Sequence, residues 1–242
     1  MENIGQKQIA GAIIIAGLLV AGAVLLKGNT TPPSSDNEVA ITTLAPITDT
    51  DMMLGNKGAK VAVILYEDFQ CPFCGAVSGL VQDSEAIQYL KKIDPTWIPF
   101  MPGIQEYVKD GKVKFIYRDW AFLGRESVKA AEAARCAEDQ GKFWEYHDYL
   151  YSHQNGENKG AFADENLKNF AEILGLEQTS FDQCLDSGKH SQAVADSKNE
   201  GTSAGITGTP KGFILKGGKL VGTIEGAEPW SKVKEKLDNA LK

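Results

Sequence analysis

The chain has no basic stripe: its 25 Lys and Arg are outnumbered by 32 Asp and Glu, leaving a formal net charge of −7. Nucleic-acid binding rests on neutralising phosphates, so this balance argues against nucleic acid as a partner. Histidine is scarce, with three residues, and cysteine numbers four. His147, His153 and His190 sit at no spacing that pairs them as ligands, and there is no second Cys-x-x-Cys. A structural zinc site wants four such ligands, so no metal is expected, and each histidine reads as an ordinary surface or partly buried residue. No internal repeat stands out. With 43% apolar and 24% charged residues the composition is that of a globular protein, and 242 residues suffice for one sizeable core plus an attached segment.

Long apolar runs are also missing, with one exception. From Ile9 to Leu26 the chain is uncharged, and Lys7 and Lys27 bracket the run. At helical rise it reaches about 27 Å, enough to cross a hydrocarbon core, and it exceeds the apolar stretch of about 7–15 residues in a cleaved signal peptide. Residues 1–27 are therefore expected to form an uncleaved membrane anchor. Residues 28–50, rich in Thr, Pro, Ser and Asp, have linker composition, and residues 51–242 form the folded domain. The flanking positive charges nearly balance, so orientation is taken from cysteine usage. A redox-type pair plus two further cysteines suits an oxidising compartment, which places the domain outside the cytoplasmic membrane.

The chemistry concentrates at Cys71-Pro72-Phe73-Cys74. This motif closes a continuous apolar run, Val61-Ala-Val-Ile-Leu-Tyr66, as expected for a strand covered on both faces, and opens a helix with Pro72 in its first turn. A thiol at a helix N-terminus faces unsatisfied backbone N–H groups, which favour the thiolate, and only the thiolate attacks a disulfide. A second strand is expected at Val113-Lys-Phe-Ile-Tyr117, parallel to the first. Residues 124–203 read as helical. Gly212-Phe-Ile-Leu215 and Lys219-Leu-Val-Gly-Thr-Ile224 read as a hairpin turning at Gly217-Gly218, and a last helix carries Trp230, Val233, Leu237 and Leu241 on one face. The order is β-α-β, helical insertion, β-β-α. Between the motif and Val113, Asp94-Pro95 and Trp97-Ile-Pro-Phe-Met-Pro102 read as a proline-broken loop, either a packing lid or part of a substrate surface.

Tyr66-Glu-Asp-Phe-Gln-Cys-Pro-Phe-Cys74, the later Gly205-Ile-Thr-Gly-Thr-Pro210, Asp51-Met-Met-Leu-Gly55 and the helical segment with Arg135-Cys136 and Phe143-Trp144 together resemble the DsbA-like thiol–disulfide oxidoreductases of the thioredoxin fold. The resemblance runs from about Asp51 to the C-terminus. It implies an α/β thioredoxin-like fold with a helical insertion, catalysis through Cys71 as the exposed nucleophile and Cys74 as the buried resolving thiol, and no cofactor. Thr209 and Pro210 would form the cis-proline loop that binds an extended substrate segment. The implied partners are cysteine-containing protein substrates and a membrane or extracytoplasmic protein that resets the dithiol.

Two positions depart from the family pattern. Leu65 stands where many members carry an acid six residues before the first cysteine; Glu67 and Asp68 are nearer but expected to be solvated, with proton transfer by one of them as the alternative. Phe73 stands where the most oxidising members carry histidine, so Pro72-Phe73 tunes Cys71 without a charge and the thiolate relies on backbone N–H groups. Cys136 and Cys184, in neighbouring insertion helices, are expected to pair, since only that arrangement leaves Cys71 and Cys74 able to cycle; buried free thiols are the alternative. The reading is disulfide formation on extracytoplasmic proteins. Net reduction or isomerisation by the same dithiol is its alternative, and a copper or zinc carrier or a scaffold ranks below both.

Overall fold

The computed structural model describes residues 44–242. The anchor expected over residues 1–27 and most of the linker expected over 28–50 lie outside the described residues. Among the described residues no helix is long and apolar enough to cross a membrane.

Five strands form one mixed sheet in the order β1-β3-β2-β4-β5. Its centre is β2, Val61–Glu67, every residue of which is buried. β3, Val113–Asp119, pairs with it in parallel, and β1, Met52–Leu54, pairs antiparallel with β3. On the other side β4, Lys211–Lys216, runs antiparallel to β2 and turns through Gly217-Gly218 into β5, Lys219–Glu225. The apolar run at 61–66 carries no alternation because both faces of β2 are covered. Val61, Val63 and Leu65 enter the larger core with both motif cysteines, while Ala62, Ile64 and Tyr66 pack with Ile116, Trp120, Ile206 and Phe213.

Helix α1, Pro72–Ser78, follows β2 directly. Residues 94–100 form the expected proline-broken connection, flanked by two helices, α2, Glu85–Ile93, and α3, Met101–Lys109; only Met101 and Pro102 of the expected loop belong to a helix. Pro102 does not break α3: it sits in the first turn, where its missing N–H has no intrahelical partner to lose. The connection packs inward. Trp97 and Phe100 are buried, the Trp97 indole donates to the Ala227 carbonyl at 2.9 Å, and Trp230 N–H donates to the Ile98 carbonyl at 3.1 Å.

The insertion comprises α4, Arg125–Glu138, α5, Phe143–Ser152, α6, Asp164–Ile173, α7, Gln178–Ser187, and α8, Ser191–Ser203. Its centre is α4, whose Ala130, Ala131, Ala133, Ala134 and Ala137 are all buried; small side chains let neighbouring helices approach closely. α8 comes close to the sheet at Gly201, where an added Cβ would lie 2.7 Å from the Trp120 ring. The final helix α9, Trp230–Leu241, buries Val233 and Leu237.

Arg118 fastens the segment before β1. Its guanidinium pairs with Asp51 at 2.7 Å and with Glu200, and donates to the carbonyls of Ala45 at 3.1 Å and Pro46 at 3.0 Å. Leu44 and Ile47 pack beside it on the sheet.

Candidate active site

Cys71 occupies the N-cap of α1, with extended backbone and Pro72 next in line. Its N–H donates to the Asp68 carbonyl at 2.9 Å, and its carbonyl accepts the Gly75 N–H at 3.0 Å, so the motif is folded into the helix start. The Thr209-Pro210 peptide is cis, and the Cys71 thiol donates to the Thr209 carbonyl at 3.3 Å. The structure thus brings Cys71, Pro72, Phe73, Cys74, Thr209 and Pro210 to one place. Cys136 and Cys184 lie elsewhere, joined in a disulfide between α4 and α7 with a Cα–Cα separation of 5.9 Å.

Cys71 and Cys74 are both free thiols. Cys71, expected to be exposed, is only 4% exposed, and Cys74 is fully buried. The two titrate in opposite directions. The Cys74 thiol, hydrogen-bonding to the Cys71 sulfur, draws the Cys71 pKa down to about 7 against the cost of burial, aided by Thr209 and by the N–H groups of Cys74 and Phe73. Backbone N–H groups are therefore not the main support; the partner thiol is. Burial pushes Cys74 well above the ordinary thiol range, reinforced by its bond to Cys71 and by the charges of Cys71 and Glu67.

Glu67 and Asp68, expected to be solvated, are 2% and 1% exposed. Two physical reasons explain the difference. β2 is covered on both faces, so position along it does not set exposure. Glu67 also stands two residues beyond Leu65, hence on Leu65's face, toward the cysteines. Burial and the negative charge of Cys71 hold the Glu67 carboxyl well above the usual carboxylate range; the Tyr151 hydroxyl, which faces the carboxyl without closing a direct bond, works the other way. Asp68 has a different task. Its carboxylate accepts from the N–H groups of Gln70, Phe122 and Leu123 at 2.8, 2.8 and 3.1 Å and from Ser127 Oγ at 2.7 Å, pinning the motif loop to the start of the insertion.

Gln154 is a further site residue that sequence reasoning missed. Its Nε2 donates to the carbonyls of Phe69 at 2.5 Å and Cys71 at 3.2 Å. A Cβ on Gly75 would lie 2.3 Å from Gln154 Oε1, so that approach needs glycine. His147, expected at the surface or partly buried, is buried against Phe69, Tyr117 and Tyr151, with ring centroids 5.6, 5.2 and 4.9 Å away. The helical spacing of His147 and Tyr151 was the available signal.

Among the described residues, Cys136, Cys184 and His190 bring potential metal-ligand atoms within 4.8 Å of one another, but both sulfurs belong to the disulfide. A cavity of about 470 Å³ lies at the opposite end of β2 from Cys71, lined by Leu44, Ile47, Lys60, Lys114 and the β4–β5 turn. Phe73 packs edge-on against Tyr89 at 6.2 Å, and Tyr89 is exposed.

A family model described as Thioredoxin matches residues 47–90 and 101–239, leaving 91–100 outside the match. A Na(+)/H(+) antiporter NhaA 1 from Salinispora arenicola is 30% identical over 170 residues, covering 69% of this chain and 22% of that protein. A putative protein-disulfide oxidoreductase from Rickettsia felis is 24% identical over 192 residues, covering 76% of this chain and 61% of that one. The chain therefore spans less than two thirds of the length of either relative. The solved structure of oxidised BdbD from Bacillus subtilis superposes with a TM-score of 0.63 at 20% identity, covering 81% of this chain and 95% of that chain. With its dithiol at a helix start, a proline loop facing it and a helical insertion between the sheet's two halves, the chain belongs to the thioredoxin family.

Proposed function

We propose that the chain is a thiol–disulfide oxidoreductase that introduces disulfides into cysteine-containing proteins outside the cytoplasm. The observation that carries the reading is the asymmetric dithiol: Cys71 at the start of α1, 3.3 Å from the Thr209 carbonyl, with fully buried Cys74 behind it. Thr209 and Pro210 form the substrate platform, and Pro72 and Phe73 shape the approach to the sulfur.

In the oxidising direction a substrate thiolate attacks Cys71 Sγ of the Cys71–Cys74 bond. That bond breaks, and its electron pair stays on Cys74 Sγ, which takes up a proton. A second substrate thiolate attacks the substrate sulfur of the mixed disulfide and expels Cys71 as thiolate. The leaving thiolate is the one of lowered pKa, and a better leaving thiolate departs faster. Buried Glu67 is the group beside Cys74 that supplies its proton and takes it back when a redox partner reoxidises the dithiol.

The uncharged run from Ile9 to Leu26 supports a single-pass anchor that holds this domain at the outer face of the membrane. Alkaline carbonate extraction tests it: the full chain stays with the membrane pellet, and release into the supernatant would refute the anchor.

A Cys71 pKa lowered only to about 7 makes the dithiol a weaker oxidant than a DsbA-type pair whose thiol titrates at about 3.5, because a less stabilised thiolate stabilises the reduced form less. Equilibration with glutathione should give a potential clearly more negative than the about −120 mV of a DsbA-type pair, together with dithiol-dependent oxidation of a reduced peptide. Repair of scrambled disulfides without oxidation of reduced peptide would establish the reductase or isomerase direction instead.

A further inference from the structure

Behind the dithiol lies a set of buried polar atoms that find no hydrogen-bond partner among the described residues: Glu67 Oε1, Tyr151 OH, Tyr117 OH, His147 Nε2 and Asp119 Oδ1. An isolated buried polar atom costs free energy, and several together around one apolar ring are not accidental bystanders. They come from three elements packed on each other. Glu67 is from β2, Tyr117 and Asp119 are from β3, and His147 and Tyr151 stand one turn apart on one face of α5. Phe69 packs in their midst, 5.4 Å from the Tyr117 ring and 5.1 Å from the Tyr151 ring.

One end of the set touches the chemistry: Glu67 and Tyr151 lie within electrostatic reach of Cys74. The other end reaches solvent. His147 Nδ1 is 2.8 Å from Asp148 Oδ1, and the Asp148 side chain is 51% exposed. A histidine bound at one ring nitrogen and open at the other passes a proton by exchanging tautomers. Asp119 is the side branch: its other oxygen is tied to Arg135 at 2.6 Å, which holds it in place beside the path.

We propose that Glu67, Tyr151, His147 and Asp148 form a proton path, bridged by internal water, that carries the Cys74 proton through the helical insertion to bulk solvent. The inference rests on the oxidoreductase reading above and extends it. When a substrate thiolate breaks the Cys71–Cys74 bond, the electron pair remains on Cys74 Sγ, and the Glu67 carboxyl gives its proton to that sulfur. Glu67 is then reprotonated from bulk water by way of Asp148, His147 and Tyr151. On reoxidation every transfer runs backwards. Tyr151 and His147 act through Glu67 and do not touch the reacting sulfurs; they are positioning residues for its proton. Tyr117 faces the same space from β3 and helps hold the bridging water. The groups that face Glu67 are thus Cys71 and Cys74 from the α1 start, Tyr117 and its register partner Asp119 from β3, and Tyr151 from α5, with His147 beside that tyrosine.

A path for protons changes rates and leaves equilibria alone, which makes it testable. Tyr151→Phe and His147→Phe keep the ring packing and remove the polar atom; Asp148→Asn, at the surface, leaves the core untouched. Three quantities are read on the full chain: the reduction potential, the iodoacetamide rate of Cys71, and the rate at which the dithiol is oxidised by a model disulfide in H2O and D2O. Support is an unchanged potential and a Cys71 alkylation rate within twofold of the parent, with dithiol oxidation about tenfold slower in the Phe variants and partly slower in Asp148→Asn. The slowed step also gains a larger solvent isotope effect, and imidazole restores part of the rate in His147→Ala. Unchanged oxidation rates in both Phe variants would overturn the path while leaving the oxidoreductase reading intact. If the parent itself oxidises no faster than a Cys71→Ser variant, the reading fails, and the path with it.

Discussion

At the scale of single residues the dithiol is an unequal pair, and the inequality has a named origin. The Cys74 thiol supports the Cys71 thiolate, while burial, its bond to Cys71 and the Cys71 charge keep Cys74 protonated. Alkylation of Cys71 should accordingly follow a titration centred near pH 7, whereas an unperturbed thiol would be centred near 8.5. Glu67 responds with the opposite sign. Its folded pKa lies above the ordinary carboxylate range, so the native state keeps a proton that the unfolded chain has released. The stabilisation is complete at acid pH and is lost as pH rises through the folded pKa. Glu67→Gln, which mimics the protonated acid, should therefore unfold at a higher temperature than the parent at pH 8 and at a similar one at pH 4, while dithiol oxidation slows by roughly 10²-fold. Equal unfolding temperatures at both pH values would show that Glu67 is not held protonated. This pair was only half legible in the sequence. The two cysteines declare themselves, but Glu67 was hidden because its charge was read as solvated although it directly follows a run read as a strand covered on both faces.

At the scale of elements the motif loop is held from two sides. Asp68 ties it to the start of α4, and Gln154, just past α5, holds the carbonyls of Phe69 and Cys71. Gly75→Ala should push Gln154 aside, cost about 1–3 kcal/mol through those buried carbonyls and move the Cys71 titration; chemical denaturation and alkylation read the two effects. On the opposite face of the sheet Arg118 joins β3, α8 and the segment at 45–51. Arg118→Ala would leave the Asp51 carboxylate, 9% exposed, without its partner, and should cost about 3–5 kcal/mol by denaturant titration. Element types were readable wherever periodicity was strong: the β2 run, the β4–β5 hairpin at Gly217-Gly218, and the alanine-rich α4. The stretch at 91–110 was legible in part. Its prolines mark the connection at 94–100, yet Pro102 sits in the first turn of α3 and the indole of Trp97 anchors the connection inward, contacts that depend on the distant residues Ala227 and Trp230. β1 is three residues long and exists only through its pairing with β3, so its own sequence carries little signal.

At the scale of the whole molecule, one chain divides stability from chemistry. The Cys136–Cys184 bond closes a loop with a sequence separation of 48 inside the insertion, which in the chain-entropy model is worth about 4 kcal/mol. Replacing both by Ala should lower stability by about that much while Cys71 keeps its alkylation titration, since the bond makes no contact with the dithiol; a shifted titration would show the insertion tuning the site through this bond. The sheet and its buried β2 place Cys71 against the Thr209 carbonyl, and the insertion brings Glu67 its neighbour Tyr151, with His147 packed beside that tyrosine. The fold was legible from the order of its elements together with the resemblance, whereas the polar interior was not, because it is assembled from three elements far apart in sequence. The central claim is that Cys71, backed by Cys74, exchanges with substrate cysteines. Its most direct test is to trap the intermediate: Cys74→Ser is incubated with a peptide disulfide, and the adduct is mapped by mass spectrometry without reduction. The expected result is a single mixed disulfide at Cys71 that the parent resolves and the variant retains. No adduct, or one at any other cysteine, would contradict the account.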